Sequence, residues 1–279
     1  MIADLFTANV ILGILASGIR LATPYLYAAI GETFGQRSGV LNLGVEGQML
    51  LGAFAGFYLT FTTGSPWLGL LAAILVGALM GLVMGFISVT LHAEQGISGI
   101  GVYLFGLGMS DLLFQKTIGS VETVKGFQPV QIPLLSDLPV LGEVLFQHNI
   151  LVYLAFLLVP VSWFVLNKTT LGLKIRAVGE NPEAADSLGV NVKGIRYFTC
   201  TLGGVLSGIA GASLSIALLN VFQQNLTSGQ GFIAVALVYF GGWRPLGVML
   251  GSLLFSMVNS LQLWVQVLNL PIPSDIAVM

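Results

Sequence analysis

Residues 67–91 contain no Asp, Glu, Lys or Arg, and few structures can accommodate an uncharged run of that length. As a helix it crosses the hydrocarbon core of a bilayer, which takes about 20 mostly apolar residues. Comparable runs lie at 9–30, 43–62, 97–115, 149–166, 195–218, 230–241 and 246–266. The chain of 279 residues is 56% hydrophobic and 8% charged, whereas soluble domains are about 25% charged. An ordinary soluble enzyme is excluded, and so is disorder, which requires few apolar residues and many charges. The expected fold is all-α: a polytopic transmembrane bundle of about eight spans or re-entrant segments, forming a single domain over 1–279, multi-pass in the cell membrane. The run at 230–241 is too short to cross comfortably, so it is either re-entrant or begins earlier, near Leu226. The first run is too long for a signal h-region and lacks a basic leader, so it is expected to stay as a span.

Charge and reactive residues narrow the function. A net charge of -2 gives no reason to expect nucleic acid. The single cysteine, Cys200, cannot form an internal disulfide. With only His92 and His148 beside it, no metal-ligand cluster is written in the sequence and no cofactor is expected.

The cations set an orientation. Lys168, Lys174, Arg176, Lys193 and Arg196 fall in or beside the segment 167–196, which the positive-inside rule places in the cytoplasm. Counting back puts the N-terminus outside. It also puts Arg37 and Arg244 inside, with Lys116 and Lys125 outside and Arg20 within the first span. The long connection 116–148, with Pro129, Pro133, Pro139, Glu122, Asp137 and Glu143, is then external.

Small residues recur at helical spacing: Ala73, Gly77, Gly81 and Gly85 in the third run, Gly204, Gly208 and Ala212 in the sixth, and Gly52 and Gly56 in the second. Lipid supplies no hydrophobic drive for helix association, so close backbone packing must. These stripes are expected to be helix contacts rather than a ligand site.

Between the fifth and sixth runs a short helix is spelled out. Asn181 is an N-cap and Pro182 follows at the first helical position, where a missing N–H costs nothing. Glu183 suits the first turn, and Gly189 ends the helix. Ala184, Ala185 and Leu188 are expected to share one apolar face. A helix of about two turns is marginal in water alone, so it either lies on the bundle as a linker or docks a cytoplasmic partner.

Three stretches carry a resemblance: "GQRSGVLNLGVEGQMLLGAF" (35–54), "GLKIRAVGENPEAADSLGVNV" (172–192) and "GQGFIAVALVYFGGWRPLGVMLGSLLF" (229–255). In order and spacing the chain resembles the permease subunits of bacterial ABC importers of the simple-sugar, nucleoside and branched-chain amino-acid group. It is most similar to the shorter of two paired permeases in the nucleoside and simple-sugar importers. The resemblance implies a non-catalytic subunit that moves a nucleoside or simple sugar inward by alternating access. It implies as partners an ABC ATPase, a second homologous permease and an extracytoplasmic solute-binding protein, in the lipid bilayer. It assigns coupling to the ATPase to Glu180, Asn181, Pro182, Glu183, Ala184, Ala185, Asp186, Leu188 and Gly189. Permeases of this kind continue past the equivalent of Met279 with one more span, so a missing last span is expected here. The chain has no G-x-x-x-x-G-K-[ST] phosphate loop, in keeping with ATP being handled by a separate subunit.

Polar groups at membrane depth face a bundle interior or a water path. Asn42, Glu46 and Gln48 sit among Gly39, Gly44 and Gly47, and Ser98 follows Gln95 at another glycine-rich helix entry. These four are candidate pathway residues, or else Asn42 and Glu46 hold a loop by internal hydrogen bonds. Two other function classes stay open. An autonomous channel or secondary transporter would use Glu46 or Asp111 and would not need the 182–188 helix. An intramembrane serine hydrolase would use Ser98 in Gly96-Ile97-Ser98-Gly99 and would need a histidine base within hydrogen-bond reach.

Overall fold

The computed structural model describes residues 8–131 and 141–267. Helix α1 (Ala8–Arg37) is followed by α2 (Val45–Thr63), α3 (Pro66–Gly85), α4 (Gln95–Thr117), α5 (Leu141–Leu145) and α6 (Ile150–Lys168). Then come α7 (Thr170–Glu180), α8 (Pro182–Ser187), α9 (Val192–Ser213), α10 (Gln230–Phe240) and α11 (Pro245–Val267). Helices α3 and α9 each run on into a π-helical turn, Phe86–Thr90 and Leu214–Leu218. Strands β1 (Pro129–Gln131) and β2 (Gln147–Asn149) pair antiparallel, His148 opposite Val130.

Among the described residues six helices are long and apolar enough to cross a membrane: Val10–Arg37, Pro66–Thr90, Gln95–Thr117, Ile150–Lys168, Val192–Leu218 and Pro245–Val267. The count of about eight from the apolar runs included two that differ. Helix α2 has the length, but Glu46 and Gln48 open it. Helix α10 has 11 residues, about 16 Å of rise, or half a bilayer. The first apolar run ends at residue 30, yet α1 continues to Arg37, its last turns carrying the buried polar residues Glu32 and Thr33. The connection 116–148 carries β1, α5 and β2, and Pro133, Asp137 and Pro139 lie outside the described residues.

The glycine stripes are where the core closes. A methyl added at Gly77 would land on the Gly204 carbonyl, one at Gly81 on the Cys200 carbonyl, and one at Gly208 on the Ala73 carbonyl. Helices α3 and α9 therefore touch backbone to backbone. Gly52 of α2 meets Gly208 from the other side, its added Cβ 2.6 Å from the Gly208 Cα. Polar side chains stitch the bundle through backbone carbonyls: Tyr27 Oη donates to Leu151 O at 2.7 Å, Ser215 Oγ to Ala53 O at 2.8 Å and Ser260 Oγ to Ile14 O at 2.8 Å. Outward faces are apolar, as on α4, where Ile97, Leu104, Phe105 and Leu112 are exposed.

Arg37, Arg176, Arg196 and Arg244 gather at one end. Arg37 Nε donates to Trp243 O at 3.1 Å, Arg196 Nε donates to Ser38 O at 3.2 Å, and Gly179 of α7 rests on the Arg37 carbonyl. The β1–β2 pair lies at the opposite end, where Thr123 bridges Val221 and Val124 N donates to Asn220 O.

Candidate functional site

Two places in the bundle hold the candidate residues. The first is a polar clasp where α2 and α10 both begin inside the bundle. After α9 the chain turns back through residues 219–229. Phe222 is fully buried against Phe54, Phe57 and Phe114, while Gln223, Gln224 and Asn225 stay exposed. At Gly229, with φ +88°, the chain turns into α10 through a conformation that costs glycine nothing.

Glu46, 1% exposed, meets that turn. Its Oε1 accepts from Thr227 Oγ1 at 2.5 Å and from Gly229 N at 2.7 Å, and its Oε2 accepts from Gly231 N at 2.5 Å. A carboxylate here satisfies N–H groups that a helix start leaves orphaned, in favourable alignment with the helix dipole. Asn42 closes the other side. Its Oδ1 accepts from Gly44 N at 2.9 Å and its Nδ2 donates to Gln48 Oε1 at 3.2 Å. Asn42 N donates to Glu32 Oε1 at 3.0 Å, an acceptor shared with Gln36 Nε2. The structure thus brings Asn42, Glu46 and Gln48 together. Two buried polar atoms at the clasp have no protein partner, Gln48 Nε2 and Gln230 Oε1.

Ser98 stands apart from these three. Its Oγ donates to Glu94 O at 2.6 Å in the first turn of α4. His148 is buried in β2 with Nε2 on Val144 O at 2.8 Å, and His92 is exposed. Neither histidine is hydrogen-bonded to Ser98. The neighbour Gln95 is the residue that acts on the clasp loop, accepting from Leu41 N at 2.8 Å and donating to Gly39 O at 3.3 Å. Thr227 and Glu32 also belong to the clasp; nothing in local spacing marks Thr227, whose partner Glu46 lies 181 residues away, whereas Glu32 bonds locally to Gln36 and to Asn42 N.

Glu94 starts α4. Its carboxylate accepts from Gly96 N at 2.9 Å and Ile97 N at 2.5 Å. The bond from Ile97 N, then that from Gly96 N, holds its pKa below the usual carboxylate range, against a small opposing desolvation. A depressed pKa gives stability that is present above the unfolded value, about 4.3 for Glu, and lost as pH falls through the folded one. The melting temperature of the wild type is expected to fall across that acid window more steeply than that of Glu94→Gln. Parallel acid slopes would show that the cap contributes nothing.

The second place is the segment 170–191 at the basic end. Thr169 Oγ1 caps α7 by accepting from Gly172 N at 3.2 Å, and Gly172 lies against the Val165 and Leu166 carbonyls. Ile175 and Val178 are buried, so α7 is fixed to the bundle. The sequence reading had no separate helix here, although a Thr cap followed by apolar residues at helical spacing was its signal. Asn181 Oδ1 then accepts from Ala184 N at 3.0 Å and starts α8 with Pro182. The expected shared face of Ala184, Ala185 and Leu188 is corrected. Ala185 is buried against the bundle, whereas Ala184 is exposed and Leu188 is 84% exposed. A helix this short turns only one position inward, because Leu188 already stands at its C-cap. Glu180, Glu183, Asp186 and Gly189 are exposed on the same segment.

Comparison with known proteins places this architecture. A guanosine ABC transporter permease of Bacillus subtilis, NupQ, is 38% identical over 87% of this chain and 79% of its own length. A nucleoside ABC transporter permease of Lactococcus lactis subsp. cremoris, NupC, is 37% identical over 89% of this chain and 81% of its own. An ABC transporter permease protein of Haloferax volcanii, provisionally named for glucose, is 42% identical over 92% of this chain and 79% of its own. No solved structure matches the chain. The family model described as branched-chain amino acid transport system / permease component matches residues 14–276. This match shows that the chain belongs to that permease family, and six membrane-length helices among the described residues agree with a multi-pass membrane protein.

Proposed function

We propose that this chain is one of two permeases in an ATP-driven importer, and that it moves a nucleoside or simple sugar inward by alternating access. ATP hydrolysis falls to a separate ATPase subunit, and solute capture to an extracytoplasmic binding protein. The basic end faces the cytoplasm, as the positive-inside rule requires. The observation that carries the reading is α8. Capped by Asn181 and anchored by buried Ala185, it presents Ala184 and the 84% exposed Leu188 to the aqueous side. An apolar side chain held out on a rigid mount suits a socket on a partner. Residues Glu180 to Gly189 form the coupling element.

The clasp of Asn42, Glu46 and Gln48 flanks the solute pathway, with Ser98 on a neighbouring helix entry. Gln48 Nε2 and Gln230 Oε1, buried without partners, are one donor and one acceptor suited to a neutral hydroxyl- or amide-bearing solute. The names of similar permeases point to guanosine, nucleosides and glucose.

The test is uptake of radiolabelled guanosine and glucose by cells expressing the importer, with wild type beside Glu183→Arg/Leu188→Arg. Both substitutions fall on exposed positions, so folding is expected to be kept. Accumulation is expected to fall by about tenfold or more, equivalent to about 1.4 kcal/mol of coupling, while the variant still reaches the membrane. Undiminished uptake would favour an autonomous carrier.

A further inference from the structure

We propose that the basic end carries a binding site for a phosphate-bearing anion, and that its occupant is the headgroup of an anionic phospholipid. A cavity of about 680 Å³ opens there between the ends of α1, α6 and α7 and the turn before α11. That volume is in the range of small-molecule sites, about 300–1,000 Å³. Three guanidinium groups line it, from Arg37, Arg176 and Arg244.

The arginines are short of partners. Arg37 spends its Nε on Trp243 O. Arg176 Nε is buried without a hydrogen bond. Among the described residues none of the three is in an ion pair. The carboxylate on that side is Glu180, which lines a smaller adjoining cavity of about 150 Å³ with Arg37 and Arg176. Three cations against one acid leave the cavity positive, and a planar guanidinium matches a phosphate with two parallel bonds.

The wall opposite adds to this. The first turn of α11, Pro245 to Gly247, lines the cavity, and a helix start presents unpaired N–H groups to an anion. The turn leading into it is held under strain. Trp243 has φ +54°, rare for a bulky residue. It is clamped by Arg37 through its carbonyl and by Gln36, whose Oε1 accepts from Trp243 Nε1 at 2.7 Å. The site is therefore built, with its geometry fixed by α1.

Two features favour a lipid over a free ion. Trp163 and Trp243 line the same cavity, and indoles concentrate at headgroup depth. Lys168 lies 5.9 Å from the Trp163 ring, extending the positive surface to the end of α6. Basic pockets between helices at a membrane surface hold anionic headgroups. The inference depends neither on the transported solute nor on the orientation.

The test is native mass spectrometry of the delipidated full chain titrated with phosphatidylglycerol or phosphatidylcholine. Phosphatidylglycerol is expected to bind about tenfold tighter or more, since each cation near an anionic surface contributes comparably. Arg176→Gln/Arg244→Gln is expected to bring the two lipids to within about twofold. Arg176→Lys/Arg244→Lys should keep most of the preference, which separates lost charge from lost folding; Arg37 is left intact because it holds Trp243. Equal binding of the two lipids by the wild type, or an unchanged preference in the Gln variant, overturns the proposal. Displacement of phosphatidylglycerol by inorganic phosphate at similar concentration overturns the lipid assignment in favour of a soluble anion. So does a Gln variant that keeps its lipid preference but no longer binds the ATPase, which would make the cavity a protein contact.

Discussion

Glu46→Gln is expected to lower the melting temperature of the purified chain by about 5–15 °C, from a loss of about 2–4 kcal/mol. The carboxylate serves three donors: Thr227 Oγ1, Gly229 N and Gly231 N. An amide has one oxygen to offer, and its NH2 turns toward at least one of those donors. A donor left unsatisfied in the interior costs about 1–3 kcal/mol, and the bonds that remain lose the strength a charged acceptor gives them, about 1 kcal/mol more. Thr227→Val is the calibrating variant. It removes one donor without orphaning a backbone group, and should cost about 1 kcal/mol. A Glu46→Gln protein that melts within a degree or two of wild type would mean that the clasp does not hold α10 in place.

Gly204→Leu is expected to leave no folded protein extractable from the membrane. Any side chain there collides with the Gly77 carbonyl, and a Cβ would also fall 2.7 Å from Gly81 Cα. Backbone cannot yield as a flexible side chain can. Overpacking typically costs about 1–3 kcal/mol, and driving two whole helices apart exceeds that range because their close approach supplies the packing attraction. Gly101 is the control: nothing lies within 4 Å of a Cβ at that position. Gly101→Ala should be neutral, or stabilising by up to about 1 kcal/mol from helix propensity. Fluorescence-detected size exclusion of the two variants side by side checks both. A sharp monodisperse peak for Gly204→Leu would show that the contact is not needed.

The two variants differ in how readily the sequence discloses their roles. The α3–α9 contact is legible because its signal is local: small residues four apart on one helix answer small residues four apart on another. The start of α8 is legible for the same reason, with Asn181 and Pro182 adjacent. Apolar length located the spans and marked 230–241 as too short to cross, but hydropathy over 43–62 does not register that Glu46 and Gly231 meet. The partners of Glu46 lie 181 to 185 residues away, and no periodicity encodes such a pairing. Glu46 and Asn42 were singled out by being polar in an apolar setting, which marks the place without identifying the bonds. The arginine cavity was hidden in another way. Arg37, Arg176 and Arg244 served as orientation markers because three cations far apart in sequence look like independent surface charges. Their convergence follows from the Gly179 and Trp243 contacts with α1, which only the fold supplies.

The clasp also has a history within each newly made chain. Glu46 enters the bilayer with α2, yet Thr227 lies 181 residues further along. At roughly 5–20 residues synthesised per second, its partners arrive about 10–40 s later. Throughout that interval the growing chain carries an acid in its second helix with none of the donors that will later surround it. The insertion machinery, an early neighbour such as Asn42, or trapped water must shelter it until α10 is made. Closure of the clasp is therefore timed from the C-terminal half: the first helices can insert and pack as they emerge, but Glu46 gains its donors only when residues 227–231 leave the ribosome.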